Sequence, residues 1–175
     1  FGSVQLYDVH AIDVNTGWAV GSVGEVRHTT DGGTNWTLSN NINIVKNFRK
    51  VFFADANIGW IVGEDGTIIH TSNGGSTWTK QTSNTTTFLI DVHFINTSTG
   101  WSVGENTVLK TTDGGSTWTN LNSLMASISS VYFQDANTGW AGANNGTVYK
   151  TTDGGSTWTL QATLGGTSMS FSFGD

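Results

Sequence analysis

One unit of about forty residues is written four times along this chain, and that repetition leaves few folds open to it. The segment from Thr29 to Trp36 reads TTDGGTNW. It returns from Thr71 to Trp78 as TSNGGSTW, then from Thr111 to Trp118 and from Thr151 to Trp158 as TTDGGSTW. The tryptophans that close these segments are 42, 40 and 40 residues apart. A Gly-Trp pair, ending at Trp18, Trp60, Trp101 and Trp140, keeps the same period with spacings of 42, 41 and 39. Two unrelated landmarks held in one phase mark a structural unit rather than a biased composition.

Each unit reads as four short strands. An apolar run comes first (Val9 to Ile12, Val51 to Phe53, Val92 to Ile95, Val131 to Phe133), followed by a turn such as Asp55-Ala56-Asn57. A second strand starts at Gly-Trp. A tight turn, Asp65-Gly66 or Asn145-Gly146, leads into a third strand, because such dipeptides tolerate the positive φ of two-residue hairpins. The double-glycine turn leads into the fourth strand. Glycine and β-branched residues throughout, with no sustained 3.6-residue periodicity, exclude a helical fold. Four antiparallel strands per forty residues predict a propeller blade, which buries both faces of its sheet only by stacking on its neighbours.

The predicted fold is therefore an all-β propeller of four complete four-stranded antiparallel blades, at 5–40, 46–82, 87–122 and 127–162, within a single region spanning 1–175. The tail Phe171 to Asp175 matches Val131 to Asp135 in phase, so 167–175 is expected to form the innermost strand of a further blade, and the whole to be part of a larger ring. The first strand of each unit, being the most apolar, is expected innermost. Trp18, Trp60, Trp101 and Trp140 are expected between blades. Trp36, Trp78, Trp118 and Trp158 are expected on the glycine turns beside them.

The turn pattern Ser/Thr-x-Asp-x-Gly-x-Thr-Trp resembles the Asp-box, or BNR repeat. Joined to the preceding GW-x-V-G and G-T-x-x-x-T elements, the unit is similar to that of the photosystem II stability/assembly factor-like propellers over almost the full chain. The residues carrying the turn are Asp31, Gly33 and Trp36; Asn73, Gly75 and Trp78; Asp113, Gly115 and Trp118; Asp153, Gly155 and Trp158. Two copies depart from the pattern, with Asn73 in place of Asp and Asn35 in place of Thr. Neither is expected to break the turn, since Asn makes the same short side-chain-to-backbone bonds. The resemblance implies a role in holding or assembling protein partners. Asp-boxes also occur in sialidases, xyloglucan hydrolases and sortilin-type receptors, so the motif speaks for fold more than for function.

Composition narrows the function classes. The formal net charge is -6, and only seven residues are Lys or Arg, which argues against a nucleic-acid partner. There is no cysteine, hence neither a disulfide framework nor a thiolate site. No apolar run reaches membrane-spanning length, so no membrane insertion is expected. The chain begins at Phe1 rather than Met, which suits a chain whose leader has been removed or a piece of something longer.

No catalytic constellation stands out. Asp31, Asp113 and Asp153 are spread one per unit, whereas catalysis needs groups converging in different environments. Asp8 and Asp91 occupy equivalent repeat positions and make no persuasive acid pair, and neither does Glu64 with Asp65. His10 and His93 share a position with Phe52 and Tyr132, which points to packing. His28 and His70 share one with Lys110 and Lys150, which points to a solvated or turn-facing group. No metal site or cofactor is expected. The two arginines, Arg27 and Arg49, are too few for a sialidase, and all eight tryptophans fall on framework positions, leaving none as a sugar platform.

One connection is chemically distinct. Lys46, Arg49 and Lys50 gather three of the seven cations on the face carrying the Glu64-Asp65 turn. They form a possible partner-binding loop, or else a solvated loop salt-bridged to Glu64, Asp65 or Glu25. The expected function is a non-enzymatic binding or assembly scaffold acting through propeller loops, placed outside the cytoplasm (secreted, periplasmic or on the cell surface) in a bacterium. The alternatives are a carbohydrate-binding or glycoside-hydrolase propeller fragment, and a structural subunit of a cell-surface assembly that self-associates through open blade edges.

Overall fold

The computed structural model describes residues 4–39, 42–124 and 126–165. Sixteen strands fall in chain order into four separate four-stranded antiparallel sheets. The first holds β1 (Leu6–Ala11), β2 (Gly17–Gly21), β3 (Val26–Thr29) and β4 (Thr37–Leu38); the second holds β5 (Phe48–Phe53), β6 (Gly59–Gly63), β7 (Ile68–Thr71) and β8 (Thr79–Gln81). The third holds β9 (Leu89–Phe94), β10 (Gly100–Gly104), β11 (Thr107–Thr111) and β12 (Thr119–Asn120); the fourth holds β13 (Ile128–Phe133), β14 (Gly139–Ala143), β15 (Thr147–Thr151) and β16 (Thr159–Thr163). Within each sheet every strand pairs with the next along the chain, the local pairing that short turns impose. The tight turn at Asp65-Gly66 has positive φ at both residues, 53° and 64°, as the dipeptide predicts.

The first strands of successive sheets lie side by side, β1 by β5, β5 by β9 and β9 by β13, which makes them the innermost strands. They share no hydrogen-bonded ladder with one another. The cores consequently lie between sheets. One cluster joins Trp18, Val20 and Val26 of the first sheet to Phe48, Val51 and Phe53 of the second, and equivalent clusters fill the next two joints.

An aromatic pair forms the centre of each joint. Trp18 stacks on Phe53, Trp60 on Phe94 and Trp101 on Phe133, each with ring centroids 3.5 Å apart. The indole Nε1 of the same tryptophans donates to the carbonyls of Gly74, Gly114 and Gly154 in the next sheet's double-glycine turn, at 3.3, 3.1 and 2.9 Å. The joint thus satisfies the one polar atom of a ring it otherwise buries. The glycine of each Gly-Trp pair is required by this packing: a Cβ on Gly59, Gly100 or Gly139 would lie 2.6, 2.4 or 2.6 Å from the phenylalanine ring of its own sheet.

The further innermost strand expected at 167–175 lies outside the described residues.

Candidate functional site

The double-glycine turns are closed by short side-chain bonds. In the third sheet Thr111 Oγ1 accepts the Gly115 N–H at 2.8 Å and donates to Asp113 Oδ1 at 2.8 Å. Asp113 also takes the Thr117 N–H and hydroxyl, at 2.8 and 2.7 Å. The Thr117 and Thr111 donors hold the Asp113 carboxyl below its usual range, and the equivalent bonds from Thr157 and Thr151 hold that of Asp153 at about 2. Both departures from the pattern are accommodated. Asn73 Nδ2 donates to the Thr77 hydroxyl at 2.9 Å, and Asn35 Nδ2 donates to Asp31 Oδ2 at 2.7 Å. The carboxylates and amide of this motif are committed to backbone geometry.

His28 stacks on the Gly-Trp tryptophan of its own sheet, 4.7 Å from Trp18, and His70 lies tilted over Trp60 at 5.2 Å. Lys110 and Lys150 take the same place over Trp101 and Trp140, at 5.1 and 5.2 Å. The sequence suggested a solvated or turn-facing position; the structure shows a position that caps an indole face, which a neutral imidazole and a cation both do. Burial lowers both histidine pKa values.

Chemically diverse residues meet along the innermost strands. Each of these strands carries a β-bulge at the same place, at Tyr7, Arg49, Ile90 and Ser129. A bulge re-aims its side chain. Arg49 projects into solvent with its guanidinium 5.1 Å over the Tyr7 ring, and it makes no ion pair among the described residues. Lys46 and Lys50, its companions in the basic loop, are both paired. Lys46 binds the Asp65 carboxylate, and Lys50 Nζ is 3.2 Å from Asp8 Oδ1. Asn47 fastens this connection, its N–H and Nδ2 donating to the Glu64 carboxylate at 3.0 and 2.7 Å. The structure therefore divides the three cations of the sequence: two lie in ion pairs and one faces outward on a tyrosine.

Next to the bulge lie Asp8, Lys50, Asp91 and Ser130, one per strand. Asp8 accepts the N–H of Val51 from the following strand at 2.9 Å; Asp91 accepts that of Val131 at 2.8 Å and that of Val92 at 2.9 Å. Burial pushes the Asp91 carboxyl up to about 6, against the opposing effects of the Lys50 charge and the N–H donors. This cross-strand role is invisible in sequence, where the two aspartates register only as a repeat position. Two residues further on, His10, Phe52, His93 and Tyr132 touch in series, with centroids 5.3, 5.5 and 4.9 Å apart. His93 Nδ1 accepts the Phe133 N–H at 3.3 Å. Among the described residues no group of three or more His, Asp or Glu stands together as a metal site, and no helix is long and apolar enough to cross a membrane.

Comparison with solved structures places this architecture. A structure of YCF48 bound to D1 peptide is similar over 90% of this chain and 53% of its own, with 21% identity and a TM-score of 0.73. YCF48 from Cyanidioschyzon merolae is similar over 91% and 56%, with 20% identity and a TM-score of 0.70. An ancestral GH74 enzyme is similar over 88% of this chain but 23% of its own, with 20% identity and a TM-score of 0.71. The chain thus spans about half the length of the YCF48 structures, and at these identities the likeness is one of fold: a β-propeller fragment with open blades. Comparison with the curated proteins gives no match. The family model for the photosynthesis system II assembly factor YCF48 matches residues 2–86 and again 77–159. The four stacked sheets, the repeated turns and these two matches together show that the chain belongs to the YCF48 assembly-factor family.

Proposed function

We propose that this chain is a non-enzymatic, extracytoplasmic binding and assembly scaffold that holds a protein partner at the rim of its innermost strands, with Arg49 and Tyr7 as the contact. The observation that carries the reading is the state of Arg49. It is exposed, it sits on a bulge, and it rests on an aromatic ring instead of a carboxylate. An arginine prepositioned in this way offers a planar, five-donor fork to a carboxylate or a peptide carbonyl. Arginine and tyrosine are the residue types that anchor protein interfaces. The peptide bound in the YCF48 structure supports a protein partner for the family member described here. A hydrolase reading is less well supported: Asp8 and Asp91, at equivalent positions of the innermost strands, both accept backbone N–H groups, and Asp8 is also neutralised by Lys50.

Calorimetric titration with the D1 peptide tests the proposal. Wild-type binding weakened about tenfold or more by Arg49→Ala supports it, with Lys80→Ala as an exposed control of unchanged affinity. Equal affinity of the Arg49→Ala variant, or hydrolysis of xyloglucan by the wild-type chain, overturns it.

A further inference from the structure

The hairpin turn between β2 and β3 carries a residue that its backbone disfavours. Val23 stands there at φ 59°, in the left-handed region, followed by Gly24 at φ 79°. A β-branched side chain crowds the main chain at such a φ. The left-handed places of the next two turns hold residues that tolerate it, Asp65 at φ 53° and Asn106 at φ 50°. Val23 is 64% exposed, so packing against the fold does not offset the strain. Strain kept without a packing reason marks a position held for what its side chain meets outside.

A second valine stands beside it. The Val23 N–H donates to Asn47 Oδ1 at 3.0 Å and the Gly24 N–H to the Lys46 carbonyl at 2.7 Å, which holds the turn against the connection to the next sheet. Val45 in that connection is 74% exposed. In the second sheet the same bond runs from the Gly66 N–H to the Thr87 carbonyl at 2.9 Å, which puts Asp65 and Thr86 in the places of Val23 and Val45. The first tip thus carries two apolar side chains where the second carries two polar ones. Asp65 and Thr86 are exposed although the second sheet has a neighbour on either side, so the exposure belongs to the tip itself and not to the place of the first sheet in the chain.

The tip lies at the end of the sheets where Arg49 stands. Asn47 is two residues from Arg49, about 7 Å of extended chain. Gly21, at the foot of the turn, pairs with Leu6, the neighbour of Tyr7. Valines and cation therefore share one rim. Lys46, next to Val45, is bound by Asp65, whereas Arg49 makes no ion pair among the described residues.

We propose that Val23 and Val45 form an apolar docking tip for a segment of a separate polypeptide that carries an aliphatic side chain next to a carboxylate. The aliphatic group covers the two valines and the carboxylate complements the charge of Arg49. The charged half of this assignment rests on the Arg49 reading above; the apolar half stands on the strained turn alone.

Titration of the methyl-labelled chain with the blocked peptide acetyl-Gly-Leu-Asp-Gly-amide, and with the same peptide carrying Gly for Leu, tests the proposal. Saturable shifts of the Val23 and Val45 methyl resonances are expected, with the leucine peptide bound about fivefold or more tighter, as partial burial of one leucine side chain predicts. Val23→Asn should raise the melting temperature by about 2–4 °C and bring the two peptides to equal affinity. Val45→Thr, the residue of the second sheet, should also reduce the preference. No leucine preference in the wild type, a preference undiminished in Val23→Asn, or a lower melting temperature of that variant overturns the tip. Arg49→Ala should weaken both peptides alike. If it weakens neither while the leucine preference persists, the Arg49 reading falls and the apolar tip stands. In sedimentation velocity, a wild-type dimer that Val23→Asn converts to monomer makes the occupant a second copy and overturns the separate partner, whereas a monomer in both supports it.

Discussion

The carboxylate of Asp91 on β9 accepts the backbone N–H of Val131 on β13 at 2.8 Å. Adjacent innermost strands share no ladder, so this side chain, with His93 Nδ1 two residues on, takes the place of the main-chain bonds found within a sheet. The arrangement leaves a carboxyl group buried and its pKa raised from 3.8 to about 6. The folded chain therefore takes up a proton as pH falls through 6. The stabilisation this brings is full below 3.8 and is lost as pH rises past 6. Relative to Asp91→Asn, the wild type should lose on the order of 3 kcal/mol between pH 4 and pH 7. Urea denaturation across that range gives the comparison, and parallel profiles for the two proteins would count against it.

The histidines over Trp18 and Trp60 work in the opposite direction. Burial lowers their pKa values from 6.5. Their contribution is full above 6.5 and is lost as pH falls through the folded values. In an Asp91→Asn background, which removes the opposing group, melting temperature should fall on acidification from pH 7.5 to 5. Replacing both with the lysine of the other two sheets, His28→Lys with His70→Lys, should flatten that fall. A slope unchanged by the double replacement would place the titrating groups elsewhere.

At the double-glycine turn the buried threonine should matter more than its shape. Thr111→Val keeps the volume but strands the Gly115 N–H, at a cost of about 1–3 kcal/mol in chemical denaturation. Asp113→Asn should be tolerated better than Asp113→Ala, because Asn73 already makes the equivalent bonds in the second sheet. Equal losses of melting temperature for the two Asp113 variants would refute this reading.

Trp60 is fully buried, stacked on Phe94 and bonded to Gly114. Trp60→Ala should cost about 3–5 kcal/mol. That is a large share of the stability of an ordinary domain. Trp36→Ala, at a half-open position, should cost less than half as much by the same denaturation measurement.

The sheets, their order and the Gly-Trp packing were all legible because the repeat carries them: a pattern written four times identifies turn, strand and joint residues without reference to space. The candidate site was legible only in part. Lys46, Arg49 and Lys50 are visible as a cluster of charge, but which of them is neutralised depends on Asp8, forty-two positions from Lys50, and on Asp65 across a hairpin. The role of Asp91 was hidden because its acceptor function reaches into the next repeat.

The bond from the Gly-Trp indole ties the next sheet's double-glycine turn to the seam between the two sheets. Each coupling is made by one tryptophan, one phenylalanine and one glycine carbonyl, all drawn from two neighbouring units. Such a joint is modular: a unit duplicated or deleted by recombination brings or removes its own half of every fastening, and the seams on either side close without redesign. Lineages can thus change the circumference of the structure by whole units while the residues that meet other molecules, on bulges and turns, diverge one sheet at a time.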